Sequence, residues 1–361
     1  MVEKHPYLNL PPENFWRGMV AGVPPAEVDP VVSVAFRLNR KSKIATAGSC
    51  FAQHIARHLR TSGFDFLVTE RAHPIFSEEL ASIFGYGVYP ARFGNIYTVE
   101  QLLQLLLRAY GVFHPKQEFW LDREGNYIDP FRPQIQPGGF ASKPEYEADR
   151  RQHLMAVRQM VERMDAFIFT LGLTEAWRSR EDGAVYPVCP GVSGGEFDSS
   201  RHEFHNFSVS EVVNSMRKAI EFIRIRNPEV RVILTVSPVP LVATMAQEGV
   251  LQATTYSKAV LRVASSELAR TLPDVAYFPS FEVITGCFNR GAYFGPNLRD
   301  ITEAGVAHVM RLFSKHYLDT SGASECDVTS SPIDEHTTRM EQIVQVACEE
   351  EALQSAATIE Q

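Results

Sequence analysis

The sequence predicts an α/β fold in which helices cover both faces of a parallel sheet. Two observations predict it. Four runs, residues 44–47, 166–171, 230–236 and 275–279, are apolar almost without a break, as strands are when both faces of a parallel sheet are buried. Between them lie stretches whose apolar residues recur at helical spacing, and such alternation builds a covered parallel sheet.

Residues 1–37, rich in proline and aromatic residues, predict an extended N-terminal arm packed on a core. A first strand ends near Gly48, and a helix over residues 50–61 carries Phe51, Ile55, His58 and Leu59 on one stripe until Gly63 ends it. Residues 71–146 are irregular apart from a helix over 99–110, which reads as an insertion over one sheet edge, where loops shape clefts. Alternation then resumes with a helix over 144–163, the strand at 166–171 and a helix over 208–226, where Ser208 and Glu211 spell a capping box. The strand at 230–236, a helix over 255–271, the strand at 275–279 and a helix over 302–317 complete the domain, which spans 38–318. Residues 319–361, with Glu349-Glu350-Glu351 inside a predicted helix over 334–354, read as a loosely attached acidic tail.

A net charge of -8 gives no basic footprint for nucleic acid or anionic lipid. The first residues lack a cationic segment followed by an apolar one, and no run reaches the roughly 18 apolar residues of a membrane span. A cytoplasmic protein is the expectation. The five cysteines, Cys50, Cys189, Cys287, Cys326 and Cys348, are scattered without zinc or disulfide spacing and read as free thiols. No metal and no cofactor is expected, and the glycines at 191–195 match neither phosphate-binding fingerprint.

Chemistry is expected beyond the carboxyl ends of the strands, where open parallel sheets bind ligands. Four edges qualify: residues 48–50, 172–177, 237–240 and 280–282. At the first, Ser49 stands between a buried strand and a helix whose free N–H groups and dipole favour an oxyanion. A nucleophile suits that seat, and so does a simple N-cap. Cys50 and His54, four apart on one helix, form a rival nucleophile–base pair.

The string Gly48-Ser49-Cys50-Phe51-Ala52 resembles the signature of the GSCFA family, part of the SGNH (GDSL-like) hydrolase superfamily. The likeness extends through residues 170–175, 234–239, Tyr256-Ser257-Lys258 and 277–282, and spans roughly residues 40–317. It implies a three-layer α/β/α flavodoxin-like sandwich with a central parallel sheet, in which Ser49 attacks an ester carbonyl and its backbone N–H helps hold the oxyanion. The superfamily's second oxyanion donor, a glycine N–H, is matched by Gly94, with Asn95 beside it in the substrate site. Gly172-Leu173-Thr174-Glu175 is similar to the superfamily's Gly-x-Asn-Asp block, with the Thr174 hydroxyl in place of the asparagine donor.

One block departs. Where the superfamily has Asp-x-x-His, this chain has Asn297-Leu298-Arg299-Asp300, so both the general base and its orienter are replaced. Asp300 is one candidate base, and His205, read here as lying in a polar loop, is another. His308 reads as a packed helix residue. Trp177 and Arg178 suit a sugar, and Lys258 suits a contact with Glu282 or another acidic group. The expected function is hydrolysis of O-acyl groups on a carbohydrate or similar polar substrate. Two alternatives stand beside it: acyl transfer to a polysaccharide hydroxyl, and a carbohydrate-binding protein on a hydrolase scaffold. Oligomeric state is left open.

Overall fold

The computed structural model describes residues 5–319; the predicted acidic tail, with Cys326 and Cys348, lies outside the described residues. Strand β1 (Ile44–Gly48) leads into α1 (Phe51–Thr61), followed by α2 (Glu78–Ile83), α3 (Val99–Ala109) and a hairpin of β2 (Trp120–Leu121) with β3 (Tyr127–Ile128). Then come α4 (Lys143–Arg163), β4 (Ala166–Leu171), β5 (Glu175–Ser179), β6 (Val185–Tyr186) and β7 (His202–Asn206). The chain continues through α5 (Val209–Arg224), β8 (Arg231–Val236), α6 (Val250–Thr271), β9 (Val275–Phe278), α7 (Ser280–Thr285) and α8 (Glu303–Tyr317).

The four apolar runs pair as one parallel sheet in the order β1-β4-β8-β9. Residues 65–67 extend it past β1, because Ile44 N–H donates to Asp65 O and Leu67 N–H donates to Ile44 O, each at 2.9 Å. Counting that short segment, the chain crosses the sheet in the doubly wound order 2-1-3-4-5, whose switch point falls between β1 and β4. Side chains alternate along each strand. Ala45, Phe167, Phe169, Val232 and Leu234 face a layer built from α3, α4, α5 and α6. Ile44, Ile168, Ile233 and Phe278 face α1, α7 and α8. This is the expected α/β sandwich.

Local signals set the helix ends. Gly63, in the left-handed region at φ 73°, closes α1 in a Schellman turn: its N–H reaches Arg60 O at 3.2 Å and Phe64 N–H reaches Leu59 O at 3.0 Å. The predicted capping box of Ser208 and Glu211 starts α5, and Thr98 with Gln101 forms another at α3. Helix α6 begins at Val250, five residues ahead of expectation, because its first turn exposes Val250 and Leu251 and so carries no buried periodicity.

Three expectations need correction. Helix α3 is a core-layer helix, with Leu102, Leu103 and Leu106 buried beside Met216 and Ile220 of α5, so the segment at 71–146 is not wholly an insertion over an edge. His205 does not lie in a loop: it belongs to β7, which pairs antiparallel with β5, itself paired with β6, in a second sheet. Alternation there is masked because Arg178 and Glu203, on one face, are salt-bridged partners. Within the arm expected to be extended, residues 6–27 form short helical turns, and the arm is fastened to α8 by Asp29 with Lys315 and His316, and by His308 Nε2 against Val28 O.

Gly48 sits at φ 133°, and a Cβ there would stand 2.2 Å from Thr170 O. Gly48→Ala therefore combines strained backbone with overpacking, and the expected loss is about 2–5 kcal/mol, read as the fall in unfolding free energy in a urea titration.

Candidate active site

Ser49 follows Gly48 at the switch point and is buried, with 3% of its surface exposed. Three chain segments meet around it. Its N–H donates to Thr170 O at 3.2 Å, and Ile96 N–H donates to Gly48 O at 2.8 Å. On the β4 side, the N–H groups of Gly172 and Leu173 both donate to Tyr97 O, at 3.1 and 2.9 Å. Residues 95–97 are thus wedged between the tips of β1 and β4. A Cβ on Gly172 would lie 2.9 Å from Ser49 Cβ and 3.1 Å from Tyr97 O, so only glycine permits the approach.

Two backbone donors near the serine are accordingly spent on closing the sheet. The expectation that Ser49 N–H faces an oxyanion is corrected by its bond to Thr170 O. Ser49 Oγ, by contrast, is buried with no hydrogen-bond partner, a condition shared by Thr170 Oγ1. An unpaired buried hydroxyl costs about 1–3 kcal/mol and calls for a reason.

Helix α6 clamps the turn after β4. Lys258, itself 3% exposed, donates from Nζ to Gly172 O at 2.7 Å, and Ser257 Oγ accepts Thr174 N–H at 3.0 Å. Glu282, one of the partners expected for Lys258, holds Arg262 and the Tyr277 hydroxyl. Thr174 Oγ1 donates to Asn206 Oδ1 at 2.6 Å, which removes it as a free donor. Asn95 is buried, and its Oδ1 accepts from Gln53 Nε2 at 3.2 Å and from the Tyr89 hydroxyl at 3.3 Å. These two donors turn the Asn95 amide so that its NH2 group faces away from them. Gly94, at φ 71°, makes the turn that delivers Asn95 to the strand tips.

A model of the GSCFA family matches residues 43–313. The chain belongs to the GSCFA family. No curated protein matches it.

Other residues singled out in this GSCFA chain lie in different surroundings. His205 is in β7, not a loop, and its Nε2 binds Glu211 Oε1 at 2.8 Å. Asp300 is exposed and accepts from Asn297 Nδ2 at 2.8 Å. Neither bonds Ser49. Glu175 opens β5, accepts from Thr244 Oγ1 at 2.7 Å, and is pushed above the usual carboxyl range by burial. Trp177 packs edge-on against Phe197 and Phe204, while Arg178 is paired with Glu203. The His54 ring lies against Phe51, and burial, reinforced by Arg57, pushes its pKa down to about 4. His308 is packed between the Tyr293 hydroxyl and Val28 O, as a structural histidine would be. Among the described residues, no group of three or more His, Cys, Asp or Glu side chains is placed to hold a metal ion.

Sequence reasoning missed what anchors the wedge. Arg92, two residues before Gly94, is buried and bonds Asp149 Oδ1 at 2.6 Å, while its backbone N–H donates to Glu70 Oε2 at 2.7 Å. Arg132 takes the other Asp149 oxygen at 2.7 Å and Asp129 at 2.8 Å, and it also donates to Arg92 O. His153 Nδ1 lies 2.9 Å from Glu70 Oε2. Burial alone raises the Glu70 carboxyl, but His153, Arg132 and Arg92 N–H outweigh it and hold it at about 2. Burial, helped by Arg132, lowers His153 below the ordinary imidazole value, against the opposing pull of Glu70. Only the Asp129–Arg132 spacing was a signal in the sequence.

Breaking this network leaves a buried charge without its counterpart. Arg92→Met is expected to cost about 3–5 kcal/mol in a urea titration, whereas Arg150→Met, at the more exposed pair with Glu118, should cost under about 1 kcal/mol.

His54 and His153 both have folded-state values below the ordinary 6.5. The unfolded chain therefore binds protons more readily, and stability that is complete above pH 6.5 drains as pH falls toward about 4. Thermal midpoints measured from pH 7 to pH 4 should fall, and His54→Gln should flatten that slope. An unchanged slope in the variant would remove His54 from the account.

Proposed function

We propose that this chain is a serine-dependent ester hydrolase of SGNH type, acting at Ser49 on O-acyl groups of a carbohydrate or a similar polar substrate. The observation that carries the reading is the Ser49 hydroxyl itself: at the switch point of a doubly wound sheet, buried, and unbonded. A structural serine in that seat would bond a neighbour. A nucleophile is held ready for a proton acceptor and a carbonyl carbon.

Because Ser49 N–H and Gly172 N–H are engaged with Thr170 and Tyr97, we look to a side chain to help meet the negative charge that develops on the carbonyl oxygen. Asn95 is the candidate, because its chain segment reaches the strand tips. Ile96, the next residue, is bonded to Gly48, and the Asn95 amide is oriented by Gln53 and Tyr89. Support for a sugar comes from Trp177, Phe197 and Phe204, an aromatic group on the small sheet that begins at Glu175, with Phe197 exposed at its edge.

The second reading, a carbohydrate-binding protein on this scaffold, is favoured by the replacement of Asp-x-x-His with Asn297 to Asp300 and by the exposed position of Asp300. One experiment separates the two. Full-length protein is treated with a fluorophosphonate probe and assayed on acetylated xylan and p-nitrophenyl acetate. Hydrolysis is expected to release acetate, Ser49→Ala to abolish labelling and turnover, and Asn95→Ala to lower kcat by about 10²–10³ with little change in fold. Binding of the polysaccharide without labelling or acetate release would establish the binding protein instead.

A further inference from the structure

We infer that Lys258 is the proton acceptor for Ser49. The inference rests on the reading of Ser49 as a nucleophile and supplies the base that reading lacks. Lys258 Nζ and Ser49 Cβ flank the same residue: Nζ bonds Gly172 O at 2.7 Å, and the Gly172 Cα stands so close to Ser49 that a Cβ on it would be 2.9 Å from Ser49 Cβ. Neither His205, paired with Glu211, nor Asp300, paired with Asn297, bonds the Ser49 hydroxyl. His54, held neutral down to about pH 4, is a weak acceptor.

A lysine serves this purpose for two physical reasons. Desolvation favours the neutral form of an amine, the form that takes a proton, and Lys258 is 3% exposed. Its four-carbon stem lets Nζ swing from a carbonyl oxygen to a hydroxyl, and catalytic hydrogen bonds that are open in the free protein tighten when substrate binds. Serine–lysine pairs are an established variant of serine–histidine catalysis.

The steps balance as follows. The neutral amine of Lys258 takes the Oγ proton as Oγ bonds to the ester carbon, and the carbonyl π electrons move to oxygen beside Asn95. When the tetrahedral centre collapses, the bond to the sugar oxygen breaks, and that oxygen leaves with the proton from the ammonium. Water then gives its proton to the amine and attacks the acyl-serine, and Oγ leaves with that proton. The net change is ester plus water to acid plus alcohol.

The test compares wild type, Ser49→Ala, Lys258→Arg and Lys258→Ala, each checked by thermal unfolding, for p-nitrophenyl acetate turnover across pH. Arginine keeps a donor for Gly172 O but cannot accept a proton. Lys258→Arg is therefore expected to lose about 10²–10⁴-fold in kcat while keeping the wild-type melting temperature within a few degrees. Lys258→Ala is expected to regain activity in methylamine, in proportion to the free base. Retention of turnover within threefold by Lys258→Arg overturns the proposal, because a merely structural lysine would give that result. Should no Lys258 variant fold, wild type decides: the pH midpoint for turnover must shift steeply with temperature, as an amine's does, and a midpoint that stays fixed belongs to a carboxyl group and overturns it. Full activity in Ser49→Ala defeats the nucleophile reading itself, a separate outcome.

Discussion

The tips of β1 and β4 approach so closely that side chains are excluded, and the rest of the architecture follows from that contact. Gly48 faces Thr170 O, Gly172 faces Ser49 and Tyr97, and residues 95–97 thread between them. Two parallel strands that diverge at a switch point leave a crevice. Here part of that crevice is occupied by the chain's own backbone, so the serine after β1 is enclosed instead of lying on an open rim. The family signature at 48–52 therefore has a conformational reason beyond chemistry: its first residue must lack a Cβ, and its second must be small.

A wedge in such a position needs holding from outside the sheet, and the buried charges do it. Arg92 and Arg132 share the two oxygens of Asp149, Glu70 receives Arg92 N–H, and His153 completes the cluster from α4. Four separate stretches of chain, around residues 70, 92, 130 and 150, are thereby fixed relative to one another. Apolar packing would have supplied comparable stability. What it lacks is direction: guanidinium groups that each hold a carboxylate and a backbone carbonyl at once fix the path of the loop that carries Asn95.

The sheet was legible because its strands are apolar on both faces, a pattern that survives any arrangement of loops. Helices with a cap signal or a stripe, such as α1 and α5, were legible to within about two residues. The segment at 65–67 was not, since Asp65 interrupts an already short apolar run and a parallel bridge of that size has no pattern of its own. Strands β5 and β7 were hidden for the opposite reason, being rich in charged and aromatic residues that read as loop. At the site, Ser49, Gly172 and Lys258 stood out because motifs surround them. The orientation of Asn95 and the commitment of His205 to Glu211 depend on contacts between residues far apart or on different elements, which one-dimensional spacing does not encode.

The engagement of Ser49 N–H and Gly172 N–H bears on the proposed chemistry. In a site whose oxyanion is met by N–H groups, the main chain supplies the charge stabilisation, and the general base can vary. Here Thr170 O and Tyr97 O accept from Ser49 N–H and Gly172 N–H, so these two donors serve sheet closure. The proposed chemistry draws a donor and its base from side chains, Asn95 from the wedge and Lys258 from α6, each buried and each tied to a strand tip through one neighbour. Moving the functional groups from backbone to side chains makes their placement depend on tertiary packing. That dependence gives a physical reason for surrounding one serine with two glycines, a threaded loop and a buried network of charge.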